Sequence, residues 1–328
     1  MRTLLLLATL ILGSASASAL ETKGIPAAEI GGFFHLGVRQ LDDSKFGQTL
    51  DKAFGDEIRA SAAFRAFKEK LGFDLEKDLD DVVVGFYPSA NPQAPRLAGI
   101  LRGRFDQAKI EAYAKSANIN STAFGKYTGW DIDQLGSSVD GTSRPANPAK
   151  TEPSLIVIVS REVALIGNAS QMAAAIDAFQ GKVPSFQPKD ELSGPGAPFL
   201  RVEVDLEALK MPAAANGDLL RGLLTIGETK PDLVVTFDGQ VTSAAKATQV
   251  AAQVKGMAGL VSLGLMDESN KTAEQIAGQR ALLGLLQSLK SEAKGDHAVF
   301  AVSYDAEKAA LGLIKAAVAQ KTKAAGGK

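Results

Sequence analysis

Nucleophilic and general-base chemistry have few starting points in this chain. Cysteine is absent, and His35 and His297 are the only histidines. The missing thiols exclude thiolate zinc sites, iron–sulfur clusters and cysteine nucleophiles. Two isolated imidazoles are also a poor basis for a transition-metal site. Each histidine stands in a strand-like segment whose alternate residues are apolar, Phe34 and Leu36 around one, Ala298 and Phe300 near the other. Alternation along a strand then turns each ring to the opposite, more polar face. A solvent-facing or hydrogen-bonded sheet histidine is the expectation for both, not the base of a Ser-His-acid triad.

Carboxylates are the other candidates. A strand end followed by Asp recurs four times, at Phe105-Asp106, Val204-Asp205, Phe237-Asp238 and Tyr304-Asp305. Each Asp is expected to accept hydrogen bonds from the first-turn amides of a following helix, at the positive end of its dipole. Asp131 and Asp133 are expected to share the solvated face of a strand. The acidic stretch Asp74–Asp81 lacks the glycine and carboxylate spacing of an EF-hand calcium loop and is expected to be a capped helical turn. No P-loop, G-x-G-x-x-G, H-E-x-x-H or G-x-S-x-G motif occurs. Gly256-Met257-Ala258-Gly259 has the form of an RNA-clamping loop but continues a helical apolar seam, so small-residue packing is expected there. Trp130, the only tryptophan, and the nearby Tyr127 are expected to cover core rather than stack on a ligand. No catalytic, cofactor-binding or metal-ligating residue is assigned from the sequence, no cofactor is expected, and the ligand-binding residues stay unknown.

The elements that hold these residues begin after a short leader. Met1-Arg2, the apolar run Leu4–Leu12, Gly13 and the ending Ala17-Ser18-Ala19 have the form of a cleaved secretory signal. Its core is too short to span a bilayer. Cleavage after Ala19 predicts a periplasmic or secreted protein, and composition suits a bacterial one. Charge is nearly balanced, 36 Lys and Arg against 37 Asp and Glu. That gives no electrostatic reason to expect nucleic acid or an anionic membrane as the main partner.

Ten of the thirteen prolines fall between Pro88 and Pro198, in three clusters that mark loops. The first spans Pro88 to Pro95. The second, Gly136 to Pro153, reads as an insertion. The third, 181–198, is the expected boundary between an N-terminal α+β domain, 20–180, and a C-terminal one, 199–322, with a frayed tail at 323–328.

In the first half, strands are expected at Phe33–Val38, Val82–Phe86, Leu97–Leu101, Leu155–Val159 and Val163–Ile166. A short hairpin is expected over Phe124–Asp133, turning near Thr128-Gly129. Helices follow from four-residue apolar spacing over Phe46–Ile58 and from Phe64, Phe67 and Leu71, with others over Asp106–Ala117 and Ser170–Phe179. The second half reads as strand Phe199–Val204, short helices, strand Leu233–Phe237, two long helices, strand Ala298–Tyr304 and a last helix. The first long helix sets Ala244, Ala247, Ala251, Val254, Ala258, Val261 and Leu265 on a narrow seam suited to close helix contact. The last helix, with Ala310, Leu313 and Ile314 on one stripe, is expected to pack on core.

At Val82–Tyr87, at Gly103-Arg104-Phe105-Asp106 and at Ala164–Asn168 the chain resembles a loose group of exported bacterial proteins in which a signal peptide precedes repeated α+β units. The resemblance covers much of residues 30–320, implies no activity and carries no functional residues across. The expected fold is α+β, with mostly antiparallel sheets, helices packed on one face and two related halves. The expected function is a non-enzymatic exported binding or interaction protein with an unknown protein or small-molecule partner, no nucleic acid and no transmembrane segment after cleavage. A transporter's solute-binding protein is the alternative; a hydrolase using two carboxylates about 5–9.5 Å apart across a cleft is the next.

Overall fold

The computed structural model describes residues 22–89, 96–141, 152–188, 198–211, 218–266 and 273–314. The leader, the 323–328 tail, most of the first and second proline clusters, half of the third and the link between the long helices lie outside these.

Among the described residues the fold is α+β, built on a single antiparallel sheet of twelve strands. Its first half comprises β1 (Gly32–Gly37), β2 (Leu79–Tyr87), β3 (Arg96–Gly103), β4 (Ser121–Phe124), β5 (Tyr127–Asp131), β6 (Ser154–Ile158) and β7 (Val163–Asn168). The second comprises β8 (Leu200–Asp205), β9 (Leu219–Thr229), β10 (Asp232–Val241), β11 (Lys290–Lys294) and β12 (His297–Asp305). The spatial order is β11-β12-β10-β9-β8-β1-β2-β3-β7-β6-β5-β4. The same order therefore occurs twice. A lone strand is flanked by one hairpin and then by a second hairpin in reverse, β1-β2-β3-β7-β6 and β8-β9-β10-β12-β11. The β4–β5 hairpin is an addition at one edge. The halves meet where β1 pairs antiparallel with β8, Phe34 opposite Val202, the relation a two-fold axis normal to the sheet would produce.

The helices are α1 (Val38–Asp43), α2 (Lys45–Ala60), α3 (Ala62–Ala66) running into a π-helical turn (Phe67–Leu71), α4 (Leu75–Asp78), α5 (Gln107–Ser116), α6 (Ile132–Asp140) and α7 (Ala169–Phe179). In the second half they are α8 (Ala244–Leu265), α9 (Ala273–Gln287) and α10, 306–314. Ser44 and Ser61 cap as their positions predict, accepting from the amides of Gly47 and Phe64. Gly72 ends its helix in the left-handed region, where a side chain is disfavoured.

Helices cover both faces of the first half, beyond the one-face packing expected from the sequence. On one face Leu36, Val82, Ile110, Ala114, Trp130 and Leu135 form a core under α5 and α6. On the other, Phe33, Val83, Ile100, Leu165 and Met172 pack under α7. Two-sided burial explains the adjacent apolar residues Phe33-Phe34 of β1 and Val82-Val83-Val84 of β2. Register carries the Leu36 face through Leu200 and Ile226 to Val235. On that face Val235 joins Leu233 and Ala306, and further along the same side Val241, Ala247 and Ala298 pack together under α8.

Several local expectations give way. The short helices expected after β8 are a turn followed by β9, which pairs along its length with β10. Paired leucines in Leu219–Leu224 mimic helical spacing, but Gly222 and Gly227 and the Lys230-Pro231 turn suit a long hairpin. Asp238 caps nothing: the strand continues to Val241, and Ser243 caps α8 by accepting from the Lys246 amide. The other three strand-end aspartates do accept from the amide three residues on, at Lys109, Ala208 and Lys308, though a turn rather than a helix follows Asp205. Asp131 and Asp133 share no strand face. Asp131 ends β5 and caps α6, accepting from the amides of Asp133 and Gln134. The β4–β5 turn falls at Gly125-Lys126, where Gly125 adopts φ +61°.

Phe33 tests the central seam. Its ring is 1% exposed and lies 5.0 Å from that of Phe186, centroid to centroid. Phe33→Ala should lower unfolding free energy by about 3–5 kcal/mol, read by denaturant titration of the fluorescence of the buried Trp130. A loss below about 1 kcal/mol would show that this seam does not hold the sheet.

Candidate functional site

Helix α8 starts as an ordinary sheet-packing helix. Ala247 is buried against Val241 and Ala298, Ala251 is buried one turn on, and the Ser291 hydroxyl donates to the Ala251 carbonyl from β11. Small residues let the helix lie close to the strands. After Ala251 the burial fades. Met257, Leu260, Val261 and Leu263, with the C-cap residue Met266, are exposed, Leu260 to 71% and Leu263 to 65%. Gly256 and Gly259 face open space, where an added Cβ would meet nothing within 4 Å. Gly256 and Gly259 therefore make none of the close contact expected of that run, and Val261 does not join the seam. Val254, Ala258 and Leu265 do remain half-buried, and α9 packs against α8.

Exposure of this kind is concentrated. Among the described residues all but one of the large exposed hydrophobics lie on α8, its C-cap, α9 (Leu282) or α10 (Leu311 and Leu313); the exception is Val183. On α10, Ala310 is buried as expected but Leu313 is not. Residues 256–266 contain no charged side chain, and α8 as a whole carries only Lys246 and Lys255. Scattered exposed leucines need no explanation, but a contiguous apolar surface marks a contact site.

The residues that suggested chemistry in the sequence are placed as scaffold. His35 is 0% exposed, between Val83 and Arg201 in register. It is neither solvent-facing nor hydrogen-bonded, because both faces of β1 are covered. Its Nε2 lies 3.5 Å from Asp81 Oδ1, beside Arg102 on the next strand. Arg201 stacks its guanidinium over Phe33 and reaches Glu203 at 3.2 Å. These groups form a polar line across the middle of the sheet. His297 sits near the far edge, where its Nδ1 meets Asp238 Oδ1 at 2.7 Å. Beside it, a hydrogen bond from Gln240 holds the exposed Asp296 carboxyl below the usual carboxylate range. Trp130 is buried in one core while Tyr127 packs on the other, so the two do not form a stacking pair. Arg59 gathers Asp56, Glu76 and Asp51, which raise its pKa further. Burial raises the Tyr87 phenol, which donates to the Pro26 carbonyl at 2.8 Å. The stretch Asp74–Asp81 is helix α4 entering β2, with Asp74 paired to Lys68 and Asp78 to Arg104. Among the described residues no group of three or more His, Asp or Glu is arranged to hold a metal ion. No described helix is long and apolar enough to cross a membrane. A shallow depression near Thr22, Lys23, Gly181 and Ser185 holds only one charged group.

No known family model matches the chain, and no curated protein does. Among solved structures, the chain is similar to TP0453 in crystal form III (TM-score 0.46, 10% identity, 92% of this chain and 99% of that chain covered). It is likewise similar to TP0453 in crystal form I (TM-score 0.43, 11% identity, 90% and 98%).

The scaffold reading of His35 makes a sharp expectation. Its two ring nitrogens have no hydrogen-bond partner, and an unsatisfied buried polar group costs about 1–3 kcal/mol. His35→Leu should leave stability unchanged or raise it by about 1 kcal/mol in thermal and urea unfolding. Destabilisation by more than about 2 kcal/mol would mean that the imidazole is held by interactions that this geometry lacks.

Proposed function

We propose that the protein is an exported, non-enzymatic binding protein whose contact surface is the apolar far end of α8. The single observation that carries this reading is the uncharged run 256–266, presented to solvent on the outer turns of a helix whose inner turns are anchored on the sheet. The N-terminal signal pattern of residues 1–19 supports export. The polar side chains elsewhere support binding over turnover, since the described histidines and aspartates finish strand and helix ends or bridge the sheet.

The energetics favour a use for this surface. Fully burying a Leu or Met side chain contributes about 1.5–3 kcal/mol. Four such side chains left in water forgo several kcal/mol, a large fraction of a typical folding free energy of about 5–15 kcal/mol. A partner that covers them recovers it. Anchoring is rigid where it must be, through Ala247, Ala251 and the Ser291 hydrogen bond, so the exposed turns are held out in a defined position.

Leu260→Gln combined with Leu263→Gln keeps helix propensity and removes no buried contact. The double variant should keep the wild-type melting temperature and circular dichroism. It should lose most of the binding of a polarity-sensitive naphthalene dye and most of its retention on a phenyl column. Unchanged dye binding and retention would overturn the proposal.

A further inference from the structure

We infer that the occupant of this surface is a lipid bilayer, which α8 enters in the plane of the membrane surface without crossing it; this rests on the reading of α8 as the contact surface. The first argument is angular. At about 100° per residue, Leu263, Leu260, Met257 and Val261 spread over about 160° of the helix circumference, and the C-cap Met266 widens the arc. The half-buried Val254, Ala258, Ser262 and Leu265 occupy the remaining sector, and α9 packs against α8. A protein groove receives an apolar stripe of roughly 100° and leaves the rest polar. Here the whole free circumference is apolar, which suits a medium that solvates every direction alike.

The second argument is that these turns can leave water cheaply. The backbone amides are paired within the helix, that of Met266 on the Leu263 carbonyl, and the Ser262 hydroxyl donates to the Ala258 carbonyl at 2.7 Å, so that only the carbonyls of the last turn need headgroup or water partners. Lipid tolerates only backbone polar groups that are satisfied internally. The third is charge. Acidic residues are absent from the whole of α8; of its two lysines Lys246 pairs with Asp218 at 2.7 Å, and Lys255 stands directly before the uncharged run. A lysine beside an apolar helical surface suits the negatively charged headgroups of a bilayer surface.

Length and sequence set the depth. Eleven residues of helix cover about 16 Å, about half of a hydrocarbon core of roughly 30 Å. The residues that follow include Asp267, Glu268 and Lys271, which a tip-first entry would carry into hydrocarbon. Both features favour a helix lying at the boundary of headgroups and acyl chains, entering a single leaflet.

The test is flotation of the full chain, from Leu20, with large vesicles of phosphatidylethanolamine and phosphatidylglycerol, with the wild type beside the Leu260→Gln/Leu263→Gln variant. Sedimentation equilibrium of both proteins without vesicles runs in parallel. The expected result is flotation of the wild type, an at least tenfold weaker vesicle partition for the variant, and monomers in both cases. Equal flotation of the two proteins would overturn the inference. So would a wild type that stays off vesicles yet loses dye binding on substitution; that outcome leaves the contact surface intact and gives it to another occupant. Self-association of the wild type abolished by the double substitution would assign the surface to a second copy of the chain, also against the inference.

Discussion

The antiparallel pairing of β1 with β8 is the contact on which the rest of the architecture depends. Five residue pairs, from Gly32 opposite Val204 to Leu36 opposite Leu200, join two strand sets of the same order into one sheet. β1 also pairs with β2 through Gly37 opposite Asp81, so one six-residue strand lies at the heart of the molecule and is buried on both faces. Phe33 enters one core and Leu36 the other. The cost of this arrangement is polar. His35, Asp81, Arg102 and Arg201 are drawn into the seam, where the Arg102–Asp81 pair and the stacking of Arg201 on Phe33 offset part of the loss of hydration while His35 is left without a hydrogen bond. The buried imidazole is a by-product of the join, which explains why it has geometry but no hydrogen bonds.

From that join the two halves diverge in how they use their helices. The first half buries its helices against both sheet faces, and α7 contributes residues as enclosed as Met172 and Ala175. The second half sets out a long helix of which only the first turns are buried on the strands. β11 and β12 reach α8 as far as Ala251, and the remaining turns continue beyond them. A 22-residue helix measures about 33 Å, whereas the five residues of β11 span only about 17 Å.

Much of the framework was legible in the sequence. Strand alternation, four-residue helical spacing and the Ser44, Ser61 and Asp106 caps located most elements of the first half, because each is a local signal with a local cause. The β9–β10 hairpin was not legible. Leu219, Leu220, Leu223 and Leu224 fit helical spacing as well as a half-buried strand, and only pairing with a strand further along the chain decides between them. His35 was misplaced because alternation assumes one wet face, whereas β1 has none. The exposed end of α8 was hidden for a related reason. Apolar periodicity has the same form whether or not something covers it, so Val261 and the two glycines read as a packing seam. A signal was present in the absence of any charge from Gly256 to Met266, where a solvent-exposed helix would ordinarily carry several.

The most direct measurement uses the lack of cysteine. Leu260→Cys gives a single thiol for a polarity-sensitive fluorophore, and Ser121→Cys on the exposed β4 edge gives a control. On titration with vesicles the account predicts a blue shift and rising intensity at position 260, with no change at position 121. A label at 260 that keeps its aqueous spectrum at saturating lipid, or equal shifts at both positions, would contradict it.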